Sequence, residues 1–123
     1  MDFSAQELLF FAARPKAQEI YLVIRDKILG LSGVTLSVHK MQISFYARRA
    51  FACVWHPPVK RLGEEAMMLS FYLPWPLESP RLFGRAEAKP GRFTCHIVVT
   101  EAAQLDPELL GWLEQAYMYA CRA

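Results

Sequence analysis

The sequence predicts an α+β domain: a mostly antiparallel sheet of about five strands with two N-terminal helices and one C-terminal helix packed on one face. Three observations predict it. Apolar and polar residues alternate with a period of two through most of residues 34–100, helical spacing and capping signals flank that stretch, and the link between the second and third strands is too short for a parallel crossover.

At the N-terminus, Ser4-Ala5-Gln6-Glu7 has the form of a capping box, in which serine and glutamate each satisfy a backbone N–H at the helix start. A short helix follows over Leu8–Arg14, stopped near Pro15. A second helix starts at about Lys16. Its buried stripe is Ile20, Val23, Ile24, Ile28 and Leu31, with Lys27 as a polar intruder, and Gly30 or Gly33 ends it.

The strands come next. Val34, Leu36 and Val38 alternate with Thr35, Ser37 and His39; Met41, Ile43, Phe45 and Ala47 alternate with Gln42, Ser44, Tyr46 and Arg48. Past a turn at Arg48-Arg49, Phe51, Cys53 and Trp55 form the apolar set against Ala52, Val54 and His56, until Pro57-Pro58 ends the strand. After a polar loop over 57–66, Met67, Leu69, Phe71 and Leu73 alternate with Met68, Ser70 and Tyr72. A proline-punctuated loop over 74–90 leads to Phe93, Cys95, Ile97 and Val99, set against Arg92, Thr94, His96 and Val98. Asp106 as N-cap and Pro107 in the first turn open the last helix, whose stripe is Leu109, Trp112, Leu113, Ala116 and Tyr117.

Composition bounds the function. The 123 residues suit a single domain, 1–123, and 54% hydrophobic residues supply a core without staples. A net charge of +2 is too small to mark a nucleic-acid binder, so nucleic acid is disfavoured and stays a second alternative. Cys53, Cys95 and Cys121 form no disulfide framework, which points to a reducing compartment. Met1-Asp2-Phe3-Ser4 lacks the basic start of a signal peptide, and no apolar run reaches the length of a membrane span. The expected location is the cytoplasm, with no membrane partner.

No nucleotide-loop, zinc-hydrolase or serine-hydrolase signature is present, and Cys53 and His56, or Cys95 and His96, would face opposite sides of a strand. No metal or cofactor is expected. The chemistry gathers instead on the outward strand positions. Gln42, Ser44, Tyr46, Arg48, His56, Ser70, Tyr72, Arg92, Thr94 and His96 share the predicted open face, and aromatic rings rimmed by arginine can stack a planar ligand. Lys40 stands at a strand junction beside them, and Trp75, between Pro74 and Pro76, gives the 74–90 loop the character of a lid.

The candidate binding residues are therefore Lys40, Tyr46, Arg48, Tyr72, Arg92 and His96, serving a small molecule or a protein partner in a non-enzymatic binding module. The alternative is a small enzyme using Lys40, Tyr46 and His96 in proton transfer. An aromatic face on so small a domain also suggests a homodimer. Basic residues in the loops, among them Arg49, Lys60, Arg61, Arg81, Arg85 and Lys89, read as a solvated rim.

The stretches Lys40–Tyr46, Phe51–Val54, Pro76–Pro80, Gly91–Val99 and Leu110–Tyr117 resemble a family of small bacterial proteins, domain of unknown function 5655 and its relatives. The resemblance runs from about residue 16 to residue 119 and implies the same α+β fold. It brings no reaction, cofactor or partner with it. It also implies a histidine where this chain has Cys95, beside His96.

Overall fold

The computed structural model describes residues 4–57, 62–63 and 65–122. The expectations placed on Met1–Phe3, Pro58, Lys60 and Arg61 lie outside the described residues. Within them the fold is α+β, with helices α1 (Ala5–Phe10), α2 (Pro15–Leu29) and α3 (Pro107–Cys121) and strands β1 (Thr35–Val38), β2 (Ile43–Tyr46), β3 (Ala50–Trp55), β4 (Met67–Leu73), β5 (Gly84–Lys89) and β6 (Arg92–Val99). The strands form one antiparallel sheet in the order β1-β2-β3-β4-β6-β5.

The sheet thus has a strand more than the alternation pattern showed. β5 lies inside the 74–90 segment that reads as loop. Its sequence, Gly-Arg-Ala-Glu-Ala-Lys, is poor in strand formers, and it is held by pairing with β6 on its inner side. It is an edge strand, and its charged residues suit an edge that must not recruit another chain.

Helices α3 and α1 owe their starts to local chemistry. Asp106 accepts the Leu109 N–H at 3.0 Å, and Ser4 and Glu7 form the reciprocal capping box. Arg14 gives α2 no side-chain cap; the carboxylate of Glu65 accepts from the Lys16 and Ala17 N–H groups instead, at 2.5 and 3.3 Å. An acid at the positive end of the helix dipole is favourable there.

The buried stripe of α2 differs from the one the spacing predicts. Ala17, Ile20, Tyr21, Ile24, Arg25 and Ile28 face inward, and Lys27 is exposed. The polar members of the stripe are Tyr21 and Arg25, and they meet Glu7 of α1. Arg25 Nε donates to Glu7 Oε2 at 2.8 Å, and the Tyr21 hydroxyl donates to the same oxygen. The helices pack on one sheet face: Tyr21 lies near Phe45, Trp112 stacks on Phe71, and Tyr117 meets Phe51 edge-on. Each of the fully buried aromatics contributes roughly 1.5–3 kcal/mol through burial.

The phase of β3 departs from simple alternation. Tyr46 pairs with Ala50 while Phe45 pairs with Ala52, so Phe51 is an extra residue, a β-bulge. Phe51 and Ala52 both reach the core, and every later residue of the strand is displaced by one position. Cys53 and Trp55, expected among the buried apolar set, lie on the open face. His56, expected on the open face, turns to the helix side, where its ring stacks on Phe10 at 4.6 Å.

The 74–83 segment is no lid over the open face. Arg81 ties it to the start of α3, donating to Asp106 at 2.9 Å, to Glu108 at 2.8 Å and to the Gln104 carbonyl at 2.9 Å, with its guanidinium 5.7 Å from the Trp112 ring. Trp112 belongs to the helix layer, so the segment sits there too. No helix among the described residues is long and apolar enough to cross a membrane.

Candidate functional site

Register partners in adjacent antiparallel strands share a sheet face. Ser37, Ser44, Cys53, Ser70, His96 and Gly84 therefore form one row across the open face, each the partner of the next. These side chains are small except for the imidazole. Larger groups stand on either side: Trp55, Met68 and Val98 form the next row toward one end, and Tyr72 and Thr94 pair toward the other. The bulge leaves Ala50, a short side chain, beside Tyr46 at that second end.

The row is hydrogen-bonded. Trp55 Nε1 donates to Ser70 Oγ at 3.0 Å, and Ser70 Oγ lies 2.6 Å from His96 Nδ1. Gln42 Nε2 donates to Ser44 Oγ at 2.7 Å, and Cys53 Sγ is 4.0 Å from the Tyr72 hydroxyl. The flanking side chains lie over this floor, so Ser70 is only 1% exposed while His96, Tyr72 and Trp55 are half-buried. The Arg92 guanidinium sits 4.4 Å from the centre of the Tyr72 ring, and its Nε is buried without a hydrogen-bond partner.

Burial sets the protonation of these groups. It holds His96 below the ordinary histidine value, so the imidazole is neutral at pH 7. Burial, reinforced by Cys53, pushes the Tyr72 phenol up to about 12, and burial also raises the Cys53 thiol. Cys53 and Tyr72 are therefore a neutral thiol and a neutral phenol at pH 7, and the site displays donors: the outer edge of His96, Arg92, and the hydroxyls of Tyr46, Tyr72 and Thr94.

Four of the six residues marked in the sequence come together on this face: Tyr46, Tyr72, Arg92 and His96. Arg48 is exposed in the β2–β3 turn at the Tyr46 end, while its neighbour Arg49 is engaged over the Tyr119 ring at 4.5 Å. Lys40 is not among them. It lies in the β1–β2 turn, beyond the opposite end of β2, on a groove of about 250 Å³ with Gln6, Leu9, Phe10, Val38 and His39. The sequence pattern puts Ser70 on the open face but not among the binding residues, and it assigns Trp55 and Cys53 to the opposite face. Ser70 carried the right alternation but no chemical flag, and the bulge hid the other two.

His56 has a structural part. Its Nε2 donates to the Phe10 carbonyl at 3.0 Å at the end of α1, and its Nδ1 is buried with no partner. Burial, aided by the nearby Arg14 charge, holds its pKa low. A group whose folded pKa is depressed gives stability that is present above its unfolded value, near 6.5, and is lost as pH falls through the folded value. The wild-type chain is therefore expected to lose stability between pH 7 and pH 5. The His56→Gln variant, which keeps a donor for Phe10 but does not titrate, should lose less; parallel urea midpoints over that range for both proteins would assign the loss elsewhere.

Comparison with curated proteins and comparison with solved structures each return no match. The family model described as Domain of unknown function (DUF5655) matches residues 9–120, which takes in all six strands and most of the helical layer, and the chain belongs to that family.

Proposed function

We propose that this chain is a non-enzymatic binding module that holds a small ligand on its open sheet face. One observation carries the reading. The helices cover the other face of the sheet, while this one presents Trp55, Tyr72 and His96 half-buried around a floor of small polar groups, with Arg92 over Tyr72. Aromatic walls contribute stacking, and fixed donors set orientation. Free thiols at Cys53, Cys95 and Cys121 fit a reducing compartment, and the cytoplasm is where we place the protein.

Proton transfer by Lys40, Tyr46 and His96 has less support. β2 alone separates Lys40 from Tyr46 by about 10 Å at about 3.3 Å per residue. A homodimer through the open face would compete with the ligand for the same surface, so we take the face to be free in solution.

The test joins native mass spectrometry of the purified protein with amide chemical-shift mapping against a set of small aromatic compounds. A copurified mass, or shifts clustered at Cys53, Ser70, Tyr72, Thr94 and His96, is the expected result. Shifts clustered on α2 and α3 would overturn the reading.

A further inference from the structure

Hydrogen-bond polarity along the central row follows from the donors and the relative strengths of the acceptors. An indole N–H can only donate, so the 3.0 Å contact from Trp55 uses a lone pair of Ser70 Oγ. The Ser70 hydroxyl proton takes the stronger of the two acceptors beside it, His96 Nδ1 at 2.6 Å rather than the weakly accepting sulfur of its register partner Cys53. Nδ1 is the acceptor, and the single imidazole proton of neutral His96 lies on Nε2. Across the sheet from that ring stands Gly84, which has no side chain to cover it; even an added Cβ would come only to 3.8 Å from His96 Cδ2.

The row can also accommodate a second proton. With His96 charged, Nδ1 must donate. Ser70 Oγ has a second lone pair to accept it, and the Ser70 O–H is free to turn toward Cys53 Sγ, its register partner, which itself neighbours the Tyr72 hydroxyl. His56 has no such provision, because its Nδ1 is buried with no acceptor beside it. The open face is thus built so that its histidine, His96, can gain charge without stranding a polar group.

What the face lacks is the counter-charge. The titratable or charged groups near His96 are Tyr72 from β4, Cys53 from β3 and Arg92 from β6, with Tyr46 of β2 and Lys89 of β5, the register partner of Arg92, further along. On β5, Arg85 and Glu87 pair with Cys95 and Phe93 and so belong to the opposite face. Arg85 donates to the Leu77 carbonyl, and Glu87 accepts from the Gly91 N–H. Among the described residues on this face there is no carboxylate, so the anion that pairs with an imidazolium has to come with the ligand.

We propose that the ligand is a planar aromatic carboxylate, and that seating it on the open face is coupled to uptake of one proton by His96. This deepens the binding-module reading and rests on it. The ring packs against Tyr72 and Tyr46, and the carboxylate accepts from His96 Nε2–H and the Arg92 guanidinium. Ser70 is the positioning residue that lets Nδ1 change from acceptor to donor. No bond is made or broken.

Benzoate is the probe and benzamide its neutral control. Histidine side-chain nitrogen NMR from pH 5.5 to 8 should show free His96 protonated on Nε2 at the upper end. Benzoate should raise the His96 midpoint, and its affinity should rise by up to about tenfold per pH unit as pH falls across that midpoint. Benzamide should bind with a flat pH profile, and His96→Gln should flatten the profile for benzoate. Benzoate shifting the open-face resonances with the His96 midpoint unmoved would overturn the coupling and leave the binding-module reading standing. Benzoate shifting none of them would overturn the ligand class, and the native mass spectrum then judges the parent reading. A benzamide profile as steep as that of benzoate, or an Nδ1–H tautomer in the free protein, would also overturn the proposal.

Discussion

Glu7→Ala is expected to destabilise the fold by about 3–5 kcal/mol, the range for breaking one side of a buried ion pair. Glu7 is 1% exposed and Arg25 is 8% exposed, so neither charge is relieved by water. The Glu7 carboxylate accepts from the Ser4 N–H at 3.0 Å, from Arg25 Nε at 2.8 Å and from the Tyr21 hydroxyl. Burial alone would raise its pKa, but the Ser4, Tyr21 and Arg25 bonds together hold it below the usual carboxylate value. Its contribution is therefore present above about pH 4.3 and is lost as pH falls through the depressed folded value. Alanine takes away the carboxylate against which Arg25 is held, leaving its desolvation cost less compensated. The double variant Glu7→Leu with Arg25→Met, which replaces both charges by apolar groups, should recover part of the loss. Urea midpoints at pH 7 for the three proteins check this; a double variant no better than Glu7→Ala would mean that α1 docks through contacts other than this pair.

That pair also shows where sequence reasoning stops. The spacing of Ile20, Ile24 and Ile28 was enough to place α2, since apolar residues at helical intervals leave little freedom. It could not identify the polar residues of the stripe. Lys27, Tyr21 and Arg25 all fit near a helical face, and only the position of Glu7 on another helix decides which of them is buried. The capping box at Ser4 and Glu7 was legible because its partners are three residues apart. The bonds of Glu7 to Tyr21 and Arg25 span 14 and 18 residues and leave no local pattern. The open face divides the same way. Alternation in β4 and β6 placed Tyr72, Arg92 and His96, because those strands run without interruption. The Trp55–Ser70–His96 chain joins residues 15 and 26 apart, and its first member looked like core. β5 was hidden for another reason: its alanines and charges carry weak strand preference, and pairing with β6 overrides it.

Phe51→Ala is expected to cost about 3–5 kcal/mol, the range for truncating a buried phenylalanine. Trp55→Ala, which removes a larger side chain, should cost only about 1–2 kcal/mol, for a half-exposed ring and one hydrogen bond. Unbroken alternation along β3 would put both residues on the same face and would make the tryptophan the more expensive loss. The bulge separates them. Phe51 is 1% exposed, with its ring 5.6 Å from Tyr117 of α3, whereas Trp55 is half-buried on the open face and donates to Ser70. The two variants should differ in kind as well as in size. Phe51→Ala opens a void between sheet and α3 and should leave the tautomer of His96 unchanged, because none of the groups on the central row touches that void. Trp55→Ala removes the donor that occupies a Ser70 lone pair, and so should alter the His96 side-chain nitrogen signals with most of the fold's stability intact. Equal losses of stability, or His96 signals that move with Phe51 and not with Trp55, would mean that β3 keeps a single phase, and Trp55 would then return to the core together with Cys53.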